Sequence, residues 1–339
     1  MMLLIDSLYI NNSGGLRLLD LLVNEMIMQE VDFYLLADRR CQGRYKGINV
    51  CYKKASLKKR KEFYKTYRNN FTSVLCFGNI PTPIKLNVPV YTYFHNINLL
   101  TLAEAHSLSE KITMWLKRQV FRHYKKNTDF WLVQTSNTSQ ELCKHLYESS
   151  ERVKLMPFFE LPNRLNELKN EKHGDEYVFV SNYTGAKGHE ELLNAWALLH
   201  KQGINRKLHL TVPYECEDFC RKIKQAQEEG VMVINHGIIP FDKVMELYRK
   251  SKAIIYPSHN ESLGLGIVEA ITAGCDVIGA NLPYMYAVCK PSQVFNPYSS
   301  ESIMDAVTRY ENGENEKSEL LIYNHIEELI KLLCNNSHK

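Results

Sequence analysis

Short apolar runs alternate with amphipathic stretches along the whole chain. In the first half, Leu3-Leu4-Ile5, Val31–Ala37, Ile48–Tyr52, Ser73–Phe77, Val88–Phe94, Trp131–Gln134 and Val153–Met156 have the length and composition of buried strands. Helical spacing fills the intervals Leu16–Gln29, Leu102–Lys126 and Ser136–Tyr147, the last with Ser136 as its N-cap. The second half repeats the scheme. Strands are predicted at Tyr177–Val180, Lys207–Val212, Val231–Asn235, Ala253–Tyr256, Val277–Ala280 and Val294-Phe295, with helices at His189–His200, Glu217–Glu229 and Ser300–Tyr310. Such alternation implies parallel sheets covered by helices on both faces, and therefore an α/β protein of two doubly wound halves. Prolines mixed with alternating charge over residues 158–175 mark a linker between domains at 1–157 and 176–312. A final amphipathic helix is expected over Glu319–Leu333, within a terminal segment 313–339.

The most informative stretch runs from Ser258 to Ala270. A buried strand precedes it, and a helix stopped by Gly274 follows. Gly264 and Gly266 stand where loop becomes helix, leaving backbone N–H groups open to an anion such as a phosphate. Glu261 and Glu269 bracket that anion site, and an ionised carboxylate is an acceptor suited to sugar hydroxyls. Sugars on both sides of a phosphate group describe a nucleotide-sugar. In the first half, Gly14-Gly15 again offers backbone between strand and helix, or makes a plain tight turn, with Arg17 able to reach the same anion. His95-Asn96 ends a buried strand, where open α/β sheets bind ligands. A structural histidine is the alternative.

The segment Glu261 to Glu269 resembles the Glu-x7-Glu motif of retaining glycosyltransferases of the family 4 type, which have the GT-B fold of two Rossmann-like domains facing across a cleft. The likeness runs from about Tyr177 to Tyr310 and is fainter in the first half. It implies that Glu261 contacts the transferred sugar and Glu269 the ribose. Ser262, Leu263, Gly264, Leu265 and Gly266 would lie at the donor diphosphate, and Gly237 and Ile238 would hold the base through backbone groups. Lys187 matches the family's diphosphate-binding lysine, but Asn182 stands where the arginine is usual. Arg17, with His259 behind it, is the candidate substitute. Tyr93-Phe94-His95-Asn96 resembles the histidine motif facing the transferred sugar and the acceptor, which makes His95 a catalytic candidate and His95 and Asn96 acceptor-binding ones. The last helix often crosses back to the first domain in such proteins; packing on the second domain is the other possibility. The activity implied is transfer of a hexose-type sugar from a nucleotide-diphosphate sugar to an acceptor hydroxyl, with retention. No cofactor is expected. No Asp-x-Asp pair occurs in the sequence, so metal independence is expected as well.

Charge changes the picture of the first half. Residues 1–150 hold 21 Lys and Arg against 12 Asp and Glu, while the whole chain carries only +4. Eight cations fall between Lys53 and Arg68 against Glu62 alone, interleaved with Phe63, Tyr64 and Tyr67. This is either a solvated helix face or a surface for anionic headgroups. Nucleic acid has no recognised module behind it. The helix at Leu102–Lys126 could pack on its own sheet or lie in the plane of a membrane. No apolar run of about twenty residues occurs, the acid at Asp6 comes too early for a secretory signal, and nine scattered cysteines suit free thiols. These features predict a cytoplasmic enzyme, peripheral on the inner face of the membrane, whose acceptor is a lipid-linked or cell-surface glycan: O-antigen, lipopolysaccharide or capsule precursor. A catalytically silent GT-B scaffold in a polysaccharide-assembly complex and a nucleic-acid-binding protein are the competing readings.

Overall fold

The computed structural model describes residues 2–11, 13–100, 108–160, 174–314 and 316–335. The chain forms two compact units, Met1–Glu160 with Tyr323–Lys339, and Leu161–Ile322. The expected linker falls largely on residues 161–173, outside the described residues.

The first unit is built on a seven-stranded sheet. Its strands are β1 (Met2–Ser7), β2 (Phe33–Asp38), β3 (Asn49–Lys53), β4 (Phe71–Cys76), β5 (Val90–Phe94), β6 (Phe130–Val133) and β7 (Val153–Leu155). They lie in the order β3-β2-β1-β4-β5-β6-β7, all parallel. Register partners share a face, so Val74, Val90 and Cys76 point the same way as Phe94, Trp131 and Val133. Phe63 and Tyr64 of the helix Leu57–Tyr67 pack against the first group. Phe121 of the helix Leu108–Tyr124, and Leu142 and Leu146 of the helix Ser136–Leu146, pack against the second. These three helices therefore cover one face. The helix Ile326–Cys334 serves the other, where Ser73 Oγ donates to the Leu333 carbonyl at 2.9 Å.

One basic residue departs from its expected place. Arg60, counted among the exposed cations of Lys53–Arg68, is only 1% exposed. Its Nε donates to Asp6 Oδ2 at 2.7 Å, and its terminal nitrogens donate to the carbonyls of Pro81 and Ile80, each at 2.8 Å. The Tyr64 hydroxyl donates to the same Asp6 oxygen at 2.7 Å. Asp6 sits near the end of β1, in the core of the sheet, so its charge requires a buried partner that only a long cation from a neighbouring helix supplies.

Three boundaries also shift. Gly14 and Gly15 lie within the first turn of the helix Ser13–Met28 rather than before it. Phe158 and Phe159 are buried, Phe158 against Phe77 and Tyr93, so the first unit extends past residue 157 to Glu160. Leu320, expected in the last helix, belongs to a short strand paired with Cys289. The helix starts only at Ile326, whose N–H is held by the Asn324 side chain at 3.2 Å. All nine cysteines are free thiols.

The second unit has β8 (Glu176–Phe179), β9 (Leu208–Leu210), β10 (Val233–Asn235), β11 (Ser251–Tyr256), β12 (Asp276–Ala280), β13 (Cys289–Lys290), β14 (Gln293–Phe295) and β15 (Glu319–Leu320). Six of them form a parallel sheet in the order β10-β9-β8-β11-β12-β14, while β13 and β15 pair antiparallel. Strand order reverses at β8 and β11, and a parallel sheet opens a crevice beyond the carboxyl ends at such a point.

Candidate functional site

Two loops leave the carboxyl ends of β8 and β11, and backbone contacts tie them together. The His259 N–H donates to the Ala186 carbonyl at 2.8 Å. Gly188 has φ +68°, and a Cβ there would stand 2.6 Å from the Pro257 carbonyl oxygen. Only glycine permits both the left-handed backbone and this approach. The two loops bring Lys187 and Glu261 together, with Nζ 2.5 Å from Oε1. The Tyr256 hydroxyl donates to that same oxygen at 2.9 Å. Burial, with the Glu261 charge next, pushes the Tyr256 hydroxyl well above its usual range, so it stays a donor. Tyr256 was invisible as a site residue in the sequence because it reads as the last apolar position of a strand.

The helix Leu265–Thr272 begins immediately beyond. Gly264 caps it at φ +70°. A Cβ on Gly266 would lie 3.2 Å from the Tyr248 hydroxyl and 3.3 Å from the Tyr256 ring. Leu263 is buried, while Ser262 and Leu265 are half-buried in the same loop and first turn. Glu269 is 7% exposed, turned into the protein rather than to bulk water. Ser258 Oγ is buried without a partner among the described residues, and so is His259 Nε2. The His259 ring packs on Tyr298 with centroids 4.4 Å apart. A buried hydroxyl and a buried imidazole nitrogen without partners among the described residues, on the loop that carries Glu261 into the helix start, suit an anion with several acceptor oxygens.

His189, at the start of the following helix, is 2% exposed among Phe179, Tyr183 and Phe219. Burial, reinforced by the positive charge of Lys187, pushes it down to about 3. Asn182 is exposed in the preceding loop.

Farther along the sheet edge, Asn235 pins the turn after β10. Its side chain accepts from the Val212 N–H and donates to the Val212 carbonyl, both at 2.9 Å. Gly237 has φ +65°, and a Cβ there would fall 2.5 Å from the Tyr214 ring. Tyr214 is 62% exposed and Ile238 75% exposed, giving a flat aromatic and an aliphatic side chain at one glycine turn. Sequence reasoning missed Tyr214, which lies 23 residues before Gly237.

The first unit holds its own constellation. Asn79, at φ +67°, accepts from the His95 N–H through Oδ1 at 2.8 Å. That fixes the amide orientation, so Nδ2 faces His95 Nε2 at 3.2 Å and must donate to it. Neutral His95 therefore carries its proton on Nδ1, which is buried without a partner among the described residues. Burial pushes His95 down to about 4. A Cβ on Gly15 would lie 3.6 Å from His95 Nε2, so the helix start and the histidine do meet. Asn96 is exposed. Arg17 stands 3.7 Å from Glu160, an ion pair within the first unit.

Residues 163–328 match the family described as glycosyl transferases group 1. Sucrose-phosphate synthase from Thermosynechococcus elongatus superposes with a TM-score of 0.72 at 14% identity, covering 91% of this chain and 89% of that one. HepE from Anabaena, solved in complex with UDP-glucose, gives 0.67 at 14% identity over 93% and 91%. The chain has the GT-B fold. A curated relative, the serotype-specific mannosyltransferase WbdA of Escherichia coli, is 25% identical over 136 residues, 38% of this chain. The match takes in only 17% of the length of WbdA. The expected fold is thus present, and the matched half of the chain carries the Lys187–Glu261 pair.

Proposed function

We propose that this chain is a glycosyltransferase that moves a sugar from a nucleotide-diphosphate sugar to an acceptor hydroxyl with retention at the anomeric carbon. The contact between Lys187 and Glu261 carries this reading. Lys187 has three donors, and Glu261 occupies one. The others are available to diphosphate oxygens, placing the cation between the leaving group and the carboxylate that holds the sugar. When the C1–O bond to the diphosphate breaks, negative charge grows on the phosphate and positive character on C1. Lys187, Ser258 and the first N–H groups of the helix at Leu265 stabilise the former without reorganising. The acceptor oxygen bonds to C1 from the face the phosphate leaves, and its proton passes to the departing phosphate. His95, neutral above about pH 4, and Asn96 are the candidate acceptor-binding residues of the first unit. No metal is required in this scheme.

Strand order supports the donor class. From β10 to β11 is three strand spacings, on the order of 14 Å. A base on Tyr214 and Ile238, a ribose at Glu269, a diphosphate at Lys187 and a sugar at Glu261 fit that length. The likeness to a serotype-specific mannosyltransferase favours a lipid-linked or cell-surface glycan as acceptor, in lipopolysaccharide, O-antigen or capsule assembly.

A thermal-shift screen with uridine, guanosine, thymidine and adenosine diphosphate sugars tests donor binding and names the base. Donor hydrolysis without acceptor, in buffer with and without EDTA, tests turnover. Lys187→Ala should lower kcat by about 10²–10³. Asn182, standing in place of an arginine, favours one other reading, a silent scaffold: binding of a nucleotide-sugar without any turnover would establish it and refute catalysis.

A further inference from the structure

One face of the first unit is left over by this chemistry. Among the three helices on that face, the helix Leu108–Tyr124 is turned in an unusual way. Phe121 is 1% exposed and faces the sheet, whereas Ile112, Trp115 and Leu116 are 53%, 54% and 54% exposed. At 3.6 residues per turn these three lie about 120–180° around the helix from Phe121; Thr113 and Lys117 are exposed as well, so the first half of the helix stands clear of the core with three large apolar side chains in solvent. A helix serving only its own sheet would have put them inward. Arg122 and Lys126 flank the ridge and are exposed. The helix Leu57–Tyr67 lies on the same face of the same sheet, and its layer exposes Lys58, Lys59, Lys61 and Lys65 once Arg60 is withdrawn into the core. Three described acids of this layer are paired with neighbouring cations. Glu62 pairs with Lys59 at 2.9 Å, Asp129 with Lys85 at 3.3 Å, and Glu148 with Arg152 at 2.7 Å.

We infer that this face docks on the surface of an anionic lipid bilayer, with Trp115, Ile112 and Leu116 seated among the acyl chains just below the headgroups. The lysines of the neighbouring helix lie over the phosphates. An apolar ridge with a tryptophan suits the interface between headgroup and hydrocarbon, and each cation near such a surface adds attraction. Among the described residues no helix is long and apolar enough to cross a membrane, so the association is lateral and salt-sensitive. The site is separate from the Lys187–Glu261 pair and stands without the donor reading.

Co-sedimentation of the full chain with vesicles of phosphatidylcholine, alone or with phosphatidylglycerol, tests this without any nucleotide. The chain should pellet with the anionic vesicles and lose most of that binding in high salt. The triple change Ile112→Ser, Trp115→Ser, Leu116→Ser should lower vesicle affinity at least tenfold while circular dichroism is unchanged, because all three are exposed. Lys58→Ser with Lys61→Ser and Lys65→Ser should weaken binding to anionic vesicles alone. Brominated lipid should quench wild-type fluorescence, and Trp115→Phe should remove that quenching. Wild-type binding by the triple variant, Trp115 untouched by brominated lipid, or retention on nucleic acid with none on vesicles would each overturn the inference.

Discussion

His189 ties the stability of the second unit to pH. Its ring is enclosed by Phe179, Tyr183 and Phe219, at centroid distances of 4.8, 5.4 and 5.7 Å. Burial first, and the Lys187 charge second, hold it down to about 3 against 6.5 for an ordinary histidine. A depressed value means that the unfolded chain takes up a proton which the folded protein refuses. The stabilising preference is therefore complete above about pH 6.5 and drains away as the solution is acidified toward pH 3. Between about pH 7 and pH 4.5 the linkage relation gives a loss of about 2.5 kcal/mol from this one ring. His189→Phe fills the same aromatic box with a group that cannot titrate. Whatever constant offset the substitution brings, its pH dependence should be shallower than wild type by about 2.5 kcal/mol, read from urea melts followed by circular dichroism. Equal slopes for the two proteins across this range would refute the argument that burial and Lys187 keep the ring neutral.

Other expectations are independent of that ring. Arg60→Met leaves Asp6 charged in the core without its partner and should cost about 3–5 kcal/mol, much of it recovered by adding Asp6→Asn, as a double-mutant cycle in urea would report. Gly188→Ala forces a Cβ against the Pro257 carbonyl at positive φ; it should destabilise the second unit by at least about 1–3 kcal/mol and abolish donor binding together, both visible in a thermal-shift assay. Tyr214→Ala should weaken nucleoside diphosphate binding about tenfold by calorimetry while leaving inorganic pyrophosphate unaffected; equal loss for both ligands would remove the tyrosine from the base platform.

Much of the fold was legible because parallel strands buried on both faces write short apolar runs, and every such run from Leu3 to Phe295 became a strand. What escaped was information held in tertiary partners. Arg60 looks like any cation in a basic helix; only the strand that carries Asp6 shows that it must go inside. Leu320 continues a helical pattern by spacing, yet Cys289 captures it into a ladder. At the site, the glutamates, glycines and Lys187 announced themselves by type and spacing. Tyr256, Asn79 and Tyr214 did not, since each acts through a partner that only the folded chain brings to it: Glu261's carboxylate, His95's ring, Gly237's bare backbone. The helix Phe241–Lys250 lay within reach of the periodicity, with Val244, Met245 and Tyr248 buried on one side, but the sequence reading placed no element there.

The helix Ile326–Cys334 gives the molecule a particular order of assembly. It belongs to the first unit, yet the ribosome delivers it only after the whole second unit. Until then Ser73 has no Leu333 carbonyl to meet, and the patch of the leading sheet beneath that helix waits uncovered while the second unit is made. A polypeptide interrupted at any point in the second unit would leave that greasy patch bare, so quality-control proteases can recognise an unfinished product by its first unit rather than by its torn end.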